Sequence, residues 1–219
     1  MQRLLDIIFS GMALLVLSPV LIPVMLVLRF TGEGEVFYVQ QRLGRGGKSF
    51  CLYKFATMLK NSPSLGTGTV TVKGDPRVLP VGRFLRKTKI NELPQLLNIF
   101  KGDMSIIGPR PQTRRCFDAL PASSQAEIIK VRPGLSGVGS IVFRDEVMHD
   151  NQNPEQFYDE VIMPYKGALE EWYVANSGLR TYLGCILVTA WVVLIPGSNL
   201  VWRAFPGLPA PPPQLIGRV

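Results

Sequence analysis

Residues 4–28 read LLDIIFSGMALLVLSPVLIPVMLVL, 25 positions with a single charge, Asp6. As a helix this stretch reaches ~37 Å at 1.5 Å per residue, enough for the ~30 Å hydrocarbon core of a bilayer. It is longer than a signal-peptide core and runs into LRFTGEGEV without a small-x-small cleavage site, which disfavours a cleaved leader. Ser18-Pro19 interrupts its middle, with Pro23 four residues on. Each proline removes an N–H and presses its ring on the carbonyl four residues back, Leu15 for Pro19 and Pro19 for Pro23. Ser18 can back-bond to an upstream carbonyl and offset part of that loss. Two readings stay open, a straight span and a re-entrant helix-break-helix hairpin that enters and leaves by one face. Flanking cations favour the hairpin. Arg3 precedes the run and Arg29, Arg42, Arg45 and Lys48 follow it, so both ends read as cytoplasmic.

Composition fits a membrane-bound chain. Only 18% of the 219 residues are charged, against about 25% in soluble proteins, and mean hydropathy is +0.19. Such values exclude a charge-rich disordered protein and argue against a fully water-soluble enzyme. Lys and Arg number 24 against 16 Asp and Glu, a net charge of +8 that suits phosphate-rich partners. Cys51, Cys116 and Cys185 are odd in number and far apart, and His149 is the only histidine, so neither a disulfide framework nor a zinc site is signalled.

Outward from the apolar run, residues 34–58 alternate apolar and polar side chains around Gly44-Arg45-Gly46-Gly47, the pattern of a β-hairpin. Residues 61–76 read as a loop. Residues 80–100 turn helical, with Leu85, Ile90, Leu93 and Leu97 at apolar positions and Arg83, Arg86, Lys87 and Lys89 as a basic run. A solvated helix face would account for that run on its own.

The string KTKINELPQLLNIFKGDMSIIGPRP (Lys87–Pro111) changes the reading. GDPRVLPVGRFLR precedes it, VRPGLSG (Val131–Gly137) follows, and Lys54-Phe55, the Ser-Pro pair and PYKGALEEWYV (Pro164–Val174) join it. Together these strings resemble the bacterial sugar transferase family, the small monotopic phosphoglycosyl transferases, over residues 1 to about 195. The resemblance implies transfer of a sugar 1-phosphate from a UDP-sugar to undecaprenyl phosphate, with UMP leaving and Mg²⁺ required. It also implies an Asp-Glu pair at a helix start, the Asp acting as nucleophile, and a re-entrant hairpin broken at Ser18 and Pro19. Phosphoryl transfer needs cations around the moving group, and Arg86, Arg110 and Lys54 are the candidates. Each also has a plainer reading, as a helix-face, turn or strand residue.

The chain departs from the family at the pair itself, which here is Asn91-Glu92. A carboxamide is neutral, a poor nucleophile and a weak Mg²⁺ ligand. Three explanations compete: a natural branch in which another carboxylate takes over, an inactive paralogue that still binds substrates, and an engineered substitution. Glu92 is one replacement. Asp145-Glu146 is another, since Gly139-Ser-Ile-Val-Phe reads as a strand that would hold Arg144, Asp145 and Glu146 at its end. Asp103 reads as a turn or cap residue.

Towards the C-terminus, residues 157–176 read as helices interrupted at Pro164. Residues 182–195 carry no charge, and Arg180 before them with Trp191 and Trp202 near their end suggests an interfacial or shallow helix. A buried core helix is the alternative. FPGLPAPPPQLIGRV reads as extended or disordered.

The expected fold is therefore α/β: a monotopic membrane protein with a re-entrant hairpin over 1–28, a cytoplasmic catalytic domain with a small sheet over 29–178, an interfacial helix over 179–203 and a Pro-rich tail over 204–219. Expected catalytic residues are Asn91, Glu92, Asp145 and Glu146, with Lys54, Arg86, Arg110 and Arg144 on substrate and Mg²⁺ on Glu92 and Asn91. Expected partners are a UDP-sugar, undecaprenyl phosphate and membrane lipid at the cytoplasmic face of a bacterial inner membrane, and not nucleic acid. The oligomeric state, a homodimer included, and the sugar stay open. The alternative function is an inactive relative that binds UDP-sugar or polyprenyl phosphate in an assembly role.

Overall fold

In the computed structural model, which describes residues 1–64, 75–144, 154–195 and 197–217, the apolar run forms one 29-residue helix, α1 (Gln2–Phe30). Among the described helices it alone is long and apolar enough to cross a membrane, judged by length and composition. Leu15 and Val16 at its middle are 76% and 73% exposed, so these apolar side chains lack protein cover. The helix continues through Pro19 and Pro23, and the Ser18 hydroxyl donates to the Leu15 carbonyl at 2.7 Å, the back-bond expected of it. A hairpin is not seen; the backbone there is a single helix.

The chain divides into two compact units. One is Met1–Asp6, Arg42–Phe50 and Gly102–Val219; the other is Ile7–Gln41 and Cys51–Lys101. The strands β1 (Phe37–Leu43) and β2 (Ser49–Phe55) pair as the expected hairpin around a turn at Arg45–Gly47.

In the second unit, the helical stretch expected over 80–100 comes as three pieces: α2 (Pro80–Lys87), a single turn at Ile90–Glu92, and α3 (Gln95–Lys101). Lys89 breaks it, held in the left-handed region at φ 60°, and Pro94 delays the restart. Leu28, Phe55 and Leu85 form the core here, with Leu21, Val24 and Met25 of α1 packed against them.

The larger unit holds a parallel pair, β3 (Ser105–Ile107) beside β4 (Gly134–Ser136), with Ser105 opposite Gly134 and Ile107 opposite Ser136. The crossover that a parallel pair requires carries α4 (Arg114–Asp118) and α5 (Ala122–Ile128). Then follow α6 (Val138–Val142), α7 (Pro154–Phe157), a π-helical turn (Tyr158–Ile162), α8 (Met163–Ala175), α9 (Leu179–Leu194) and α10 (Leu200–Ala204).

Three expectations need correction or refinement. The strand expected over 139–143 is helix α6. Val138, Ile141 and Val142 lie at i, i+3 and i+4 and are all buried in the core, so tertiary packing overrides the local strand preference of Ile and Val. α9 is covered on one side: Tyr182, Cys185, Val188 and Val192 are buried, as a core helix predicts, while Leu183, Leu187, Trp191 and Leu194 are exposed. The described part of the tail, up to residue 217, docks on the protein, with Phe205 and Leu215 buried, a 3-10 turn at Pro213–Leu215 and the Tyr165 hydroxyl donating to the Pro209 carbonyl at 2.9 Å.

Asp6, the one charge in the apolar run, is 1% exposed. Its Oδ1 accepts from the Ser105 hydroxyl (2.9 Å), the Ile106 N–H (2.9 Å) and the Tyr182 hydroxyl (2.8 Å). These three donors offset part of the cost of burying the carboxylate. The start of α1 is thereby clamped to β3 and α9.

Candidate functional site

The smaller unit gathers four of the expected residues. β2 carries Lys54, and α3 is fixed to that strand by Asn98. The buried Asn98 amide accepts from the Tyr53 N–H (3.0 Å) and donates to the Cys51 carbonyl (2.7 Å), taking the place of a neighbouring strand. That attachment brings the turn ahead of α3 to β2, where Lys54 Nζ donates to Glu92 Oε1 at 3.4 Å with both side chains largely buried.

α2 approaches from the other side. A Cβ at Gly82 would lie 2.1 Å from the Thr57 carbonyl oxygen, so only glycine allows α2 this close to the backbone after β2. The Leu79 N–H donates to the same carbonyl at 3.0 Å. One turn on, the Arg86 guanidinium donates to the Thr57 hydroxyl at 3.4 Å. Burial lowers the Arg86 pKa, while the Asp75 and Glu92 carboxylates act to raise it. Arg86 nevertheless stays protonated at any physiological pH.

Two groups in the unit went unassigned in the sequence. Asp75 and Arg77, both buried, form a bidentate pair, Nε to Oδ1 at 2.9 Å and Nη2 to Oδ2 at 2.6 Å, and Arg77 also donates to the Ser62 carbonyl. The Asp-x-Arg spacing in GDPRV, with the Arg77 N–H on Asp75 Oδ1, is an Asx-type turn and was readable locally. Gln95 is the other. Asn91 Oδ1 and Gln95 Nε2 are buried and have no hydrogen-bond partner among the described residues. An acceptor and a donor left over four residues apart, on either side of the Leu93-Pro94 break, are groups that a ligand could satisfy. Lys89, in its left-handed conformation, stands two residues before Asn91.

Arg110 and Arg144 belong to the larger unit. Arg110 is exposed on the segment after β3, where Gly108 N–H bonds Ser136 O and Gly134 N–H bonds Pro109 O. Its own N–H donates to Glu170 Oε1 at 3.4 Å. Glu170 is buried beside Gly139, its Oε2 is without a partner among the described residues, and burial pushes its carboxyl up to about 8. Arg144 is half-buried just after α6. Asp145 and Glu146 lie outside the described residues.

As a place for Mg²⁺ the smaller unit offers one carboxylate, Glu92, and one amide oxygen, Asn91 Oδ1. No group of three or more His, Cys, Asp or Glu able to hold a metal occurs among the described residues. A Mg²⁺ ion can be held by as little as one protein carboxylate when waters and substrate phosphates complete its shell, so these two residues would be the ones to hold it.

Comparison with known proteins agrees with the motif strings. The profile of the bacterial sugar transferase family matches residues 1–196. The chain is 34% identical over 213 residues to the undecaprenyl-phosphate galactose phosphotransferase of Salmonella typhimurium, covering 89% of this chain and 40% of that protein. It is 35% identical over 164 residues to the exopolysaccharide production protein ExoY of Rhizobium meliloti, covering 68% and 71%. To the UDP-glucose:undecaprenyl-phosphate glucose-1-phosphate transferase of Klebsiella pneumoniae it is 36% identical over 144 residues, covering 64% and 30%. The chain thus spans less than half the length of two of these three relatives.

Proposed function

The chain belongs to the bacterial sugar transferase family, and from that premise we propose that it moves a sugar 1-phosphate from a UDP-sugar onto undecaprenyl phosphate, beginning an envelope glycan. The observation that carries this reading is the contact of Lys54 with Glu92, with Arg86 in electrostatic reach of the same carboxylate, next in sequence to Asn91, whose Oδ1 has no partner among the described residues. Cations and a carboxylate so gathered are what phosphoryl transfer asks of a protein.

Asn91 cannot serve as a nucleophile, and the polyprenyl phosphate is itself an anionic nucleophile, so in this reading the acceptor attacks directly. An oxygen of the polyprenyl phosphate adds to the β-phosphorus of the donor, the bond from that phosphorus to the bridging oxygen breaks, and UMP leaves with the electron pair. Arg86 and Lys54 neutralise the phosphates as they approach. Glu92 and Asn91 would hold Mg²⁺, which when bound supplies further charge neutralisation on the donor phosphates. Gln95 offers its spare N–H to the same group of oxygens.

In this reading α1 bends at Ser18-Pro19 in the bilayer and lies at the cytoplasmic face of the inner membrane. The cations Arg3 before the apolar run and Arg29 at its end support that placement. A straight 29-residue helix would also reach ~44 Å, well beyond the ~30 Å core. The exposed apolar side of α9 lies in the interface.

Asn91 favours a second reading, a substrate-binding protein without turnover. A screen of radiolabelled UDP-sugars with undecaprenyl phosphate and Mg²⁺, on this chain and on Asn91→Asp, separates the two. Label in lipid from the unaltered chain supports the transferase. Label only with Asn91→Asp supports the binding protein.

A further inference from the structure

Pro109-Arg110-Pro111 carries a single backbone N–H, that of Arg110, because proline has none. On either side the segment is pinned within the larger unit. Gly108 N–H donates to the Ser136 carbonyl at 2.9 Å, and the Pro109 carbonyl accepts from Gly134 N–H at 2.8 Å. Beyond Arg110, the Pro111 carbonyl accepts from Arg42 Nη1 at 3.2 Å and the Gln112 carbonyl from Leu43 N–H at 3.0 Å. The remaining donor, Arg110 N–H, goes to Glu170 Oε1 at 3.4 Å. A backbone so fixed presents the exposed Arg110 side chain from a rigid base, which is what bidentate recognition of a phosphate needs.

Glu170 lies on α8 and is 5% exposed. Gly139 of α6 makes room for its carboxyl, since a Cβ there would stand 2.5 Å from Oε1. Oε2 has no hydrogen-bond partner among the described residues. A carboxylate buried with so little bonding is costly, and burial pushes this carboxyl up to about 8. The charged and titratable groups facing it are Arg110 from the segment after β3, Lys166 and Tyr173 of α8, and Cys185 of α9. Lys166 Nζ stands over the rings of Phe143 at 4.4 Å and Tyr158 at 5.1 Å, and burial keeps Tyr173 and Cys185 neutral. At pH 7 Glu170 is therefore an uncharged acid that accepts the Arg110 N–H without competing for the guanidinium.

We propose that Glu170 is a positioning residue for substrate binding: through the backbone of the Pro-Arg-Pro segment it aims Arg110 at the donor phosphates, and it touches no substrate itself. Ionised, the same carboxyl becomes an anion beside Arg110 and draws the guanidinium away from phosphate. The proposal rests on the reading of this chain as one that binds a UDP-sugar, whether or not it turns the donor over.

The probe is UDP with Mg²⁺, the part common to every UDP-sugar, titrated calorimetrically into the full chain in detergent from pH 7 to pH 9. In the unaltered chain Kd should rise about tenfold over that range, as the neutral fraction of Glu170 falls by the same factor. Glu170→Gln keeps the shape and the acceptor without the charge, so its Kd should match at pH 7 and stay level to pH 9. Glu170→Ala removes the acceptor and should raise Kd at pH 7 by about fivefold or more with an unchanged circular dichroism spectrum. With Arg110→Ala the pH response should disappear. A rise that persists there would show Glu170 acting on the fold rather than through Arg110, and would overturn the proposal. An equal rise in Glu170→Gln, or a level Kd in the unaltered chain, would also overturn it and leave the donor reading standing. No UDP binding by the unaltered chain at any pH would overturn both.

Discussion

Lys54 on β2 donates to Glu92 ahead of α3 across 3.4 Å, and this pair joins two segments 38 residues apart in sequence. Both side chains are 18% exposed, so the pair is shielded from most of the solvent screening that weakens surface ion pairs. Removing the cation leaves a carboxylate with less compensation where two phosphates must enter. Lys54→Met should therefore lower kcat/KM at least tenfold while the circular dichroism spectrum is kept. An unchanged kcat/KM would reduce Lys54 to a structural strand residue.

Arg86 and Arg110 are expected to grip donor phosphates with two parallel N–H groups. Lysine retains the charge and loses that geometry. Arg86→Lys and Arg110→Lys should each cost about 1–3 kcal/mol of transition-state stabilisation, read as a fall in kcat/KM with UDP-sugar. Near-normal kinetics in either variant would remove that arginine from the site.

The proposed bend at Ser18-Pro19 predicts a topology. Tags at Met1 and in the folded region should both be cytoplasmic, as reported by cysteine labelling in whole cells. Pro19→Ala with Pro23→Ala restores two backbone hydrogen bonds and should move the amino terminus outside. An outside amino terminus in the unaltered protein would contradict the re-entrant reading.

Glu170 predicts a pH dependence of stability. Burial pushes its carboxyl up to about 8 in the folded protein, against an ordinary value of 4.5. Between those values the unfolded chain releases a proton that the folded chain keeps. Stability therefore falls as pH rises through that window, by at most about 1.4 kcal/mol per unit, and the loss is complete above pH 8. The unaltered chain should melt lower at pH 8 than at pH 6, and Glu170→Gln should flatten that difference. Equal slopes for the two proteins would contradict the buried acid.

Local features of this chain were legible, and non-local ones were not. The alternation and glycine turn of residues 37–55 specify a hairpin within a short window, and the strands form there. Ile141 and Val142 look like strand residues to any local reading, yet the core takes them as one face of a helical turn. The motif strings brought Lys54, Arg86, Asn91 and Glu92 onto one list, and the structure puts these four in one unit. Nothing near Asp6 announces Ser105 or Tyr182, which lie 99 and 176 residues away. Asn98 bracing β2, and Glu170 beneath Gly139, are invisible for the same reason: their partners are chosen by packing rather than by spacing.

Transfer itself remains the most direct test. With UDP-sugar, undecaprenyl phosphate and Mg²⁺, the unaltered chain should place labelled sugar 1-phosphate in the lipid and release an equal amount of UMP. Omitting the acceptor should stop UMP release and leave no phosphosugar adduct by intact mass, as direct attack by the acceptor requires. Glu92→Gln should abolish turnover. Lipid labelling undiminished in Glu92→Gln, or no labelling by the unaltered chain with any UDP-sugar, would contradict the account.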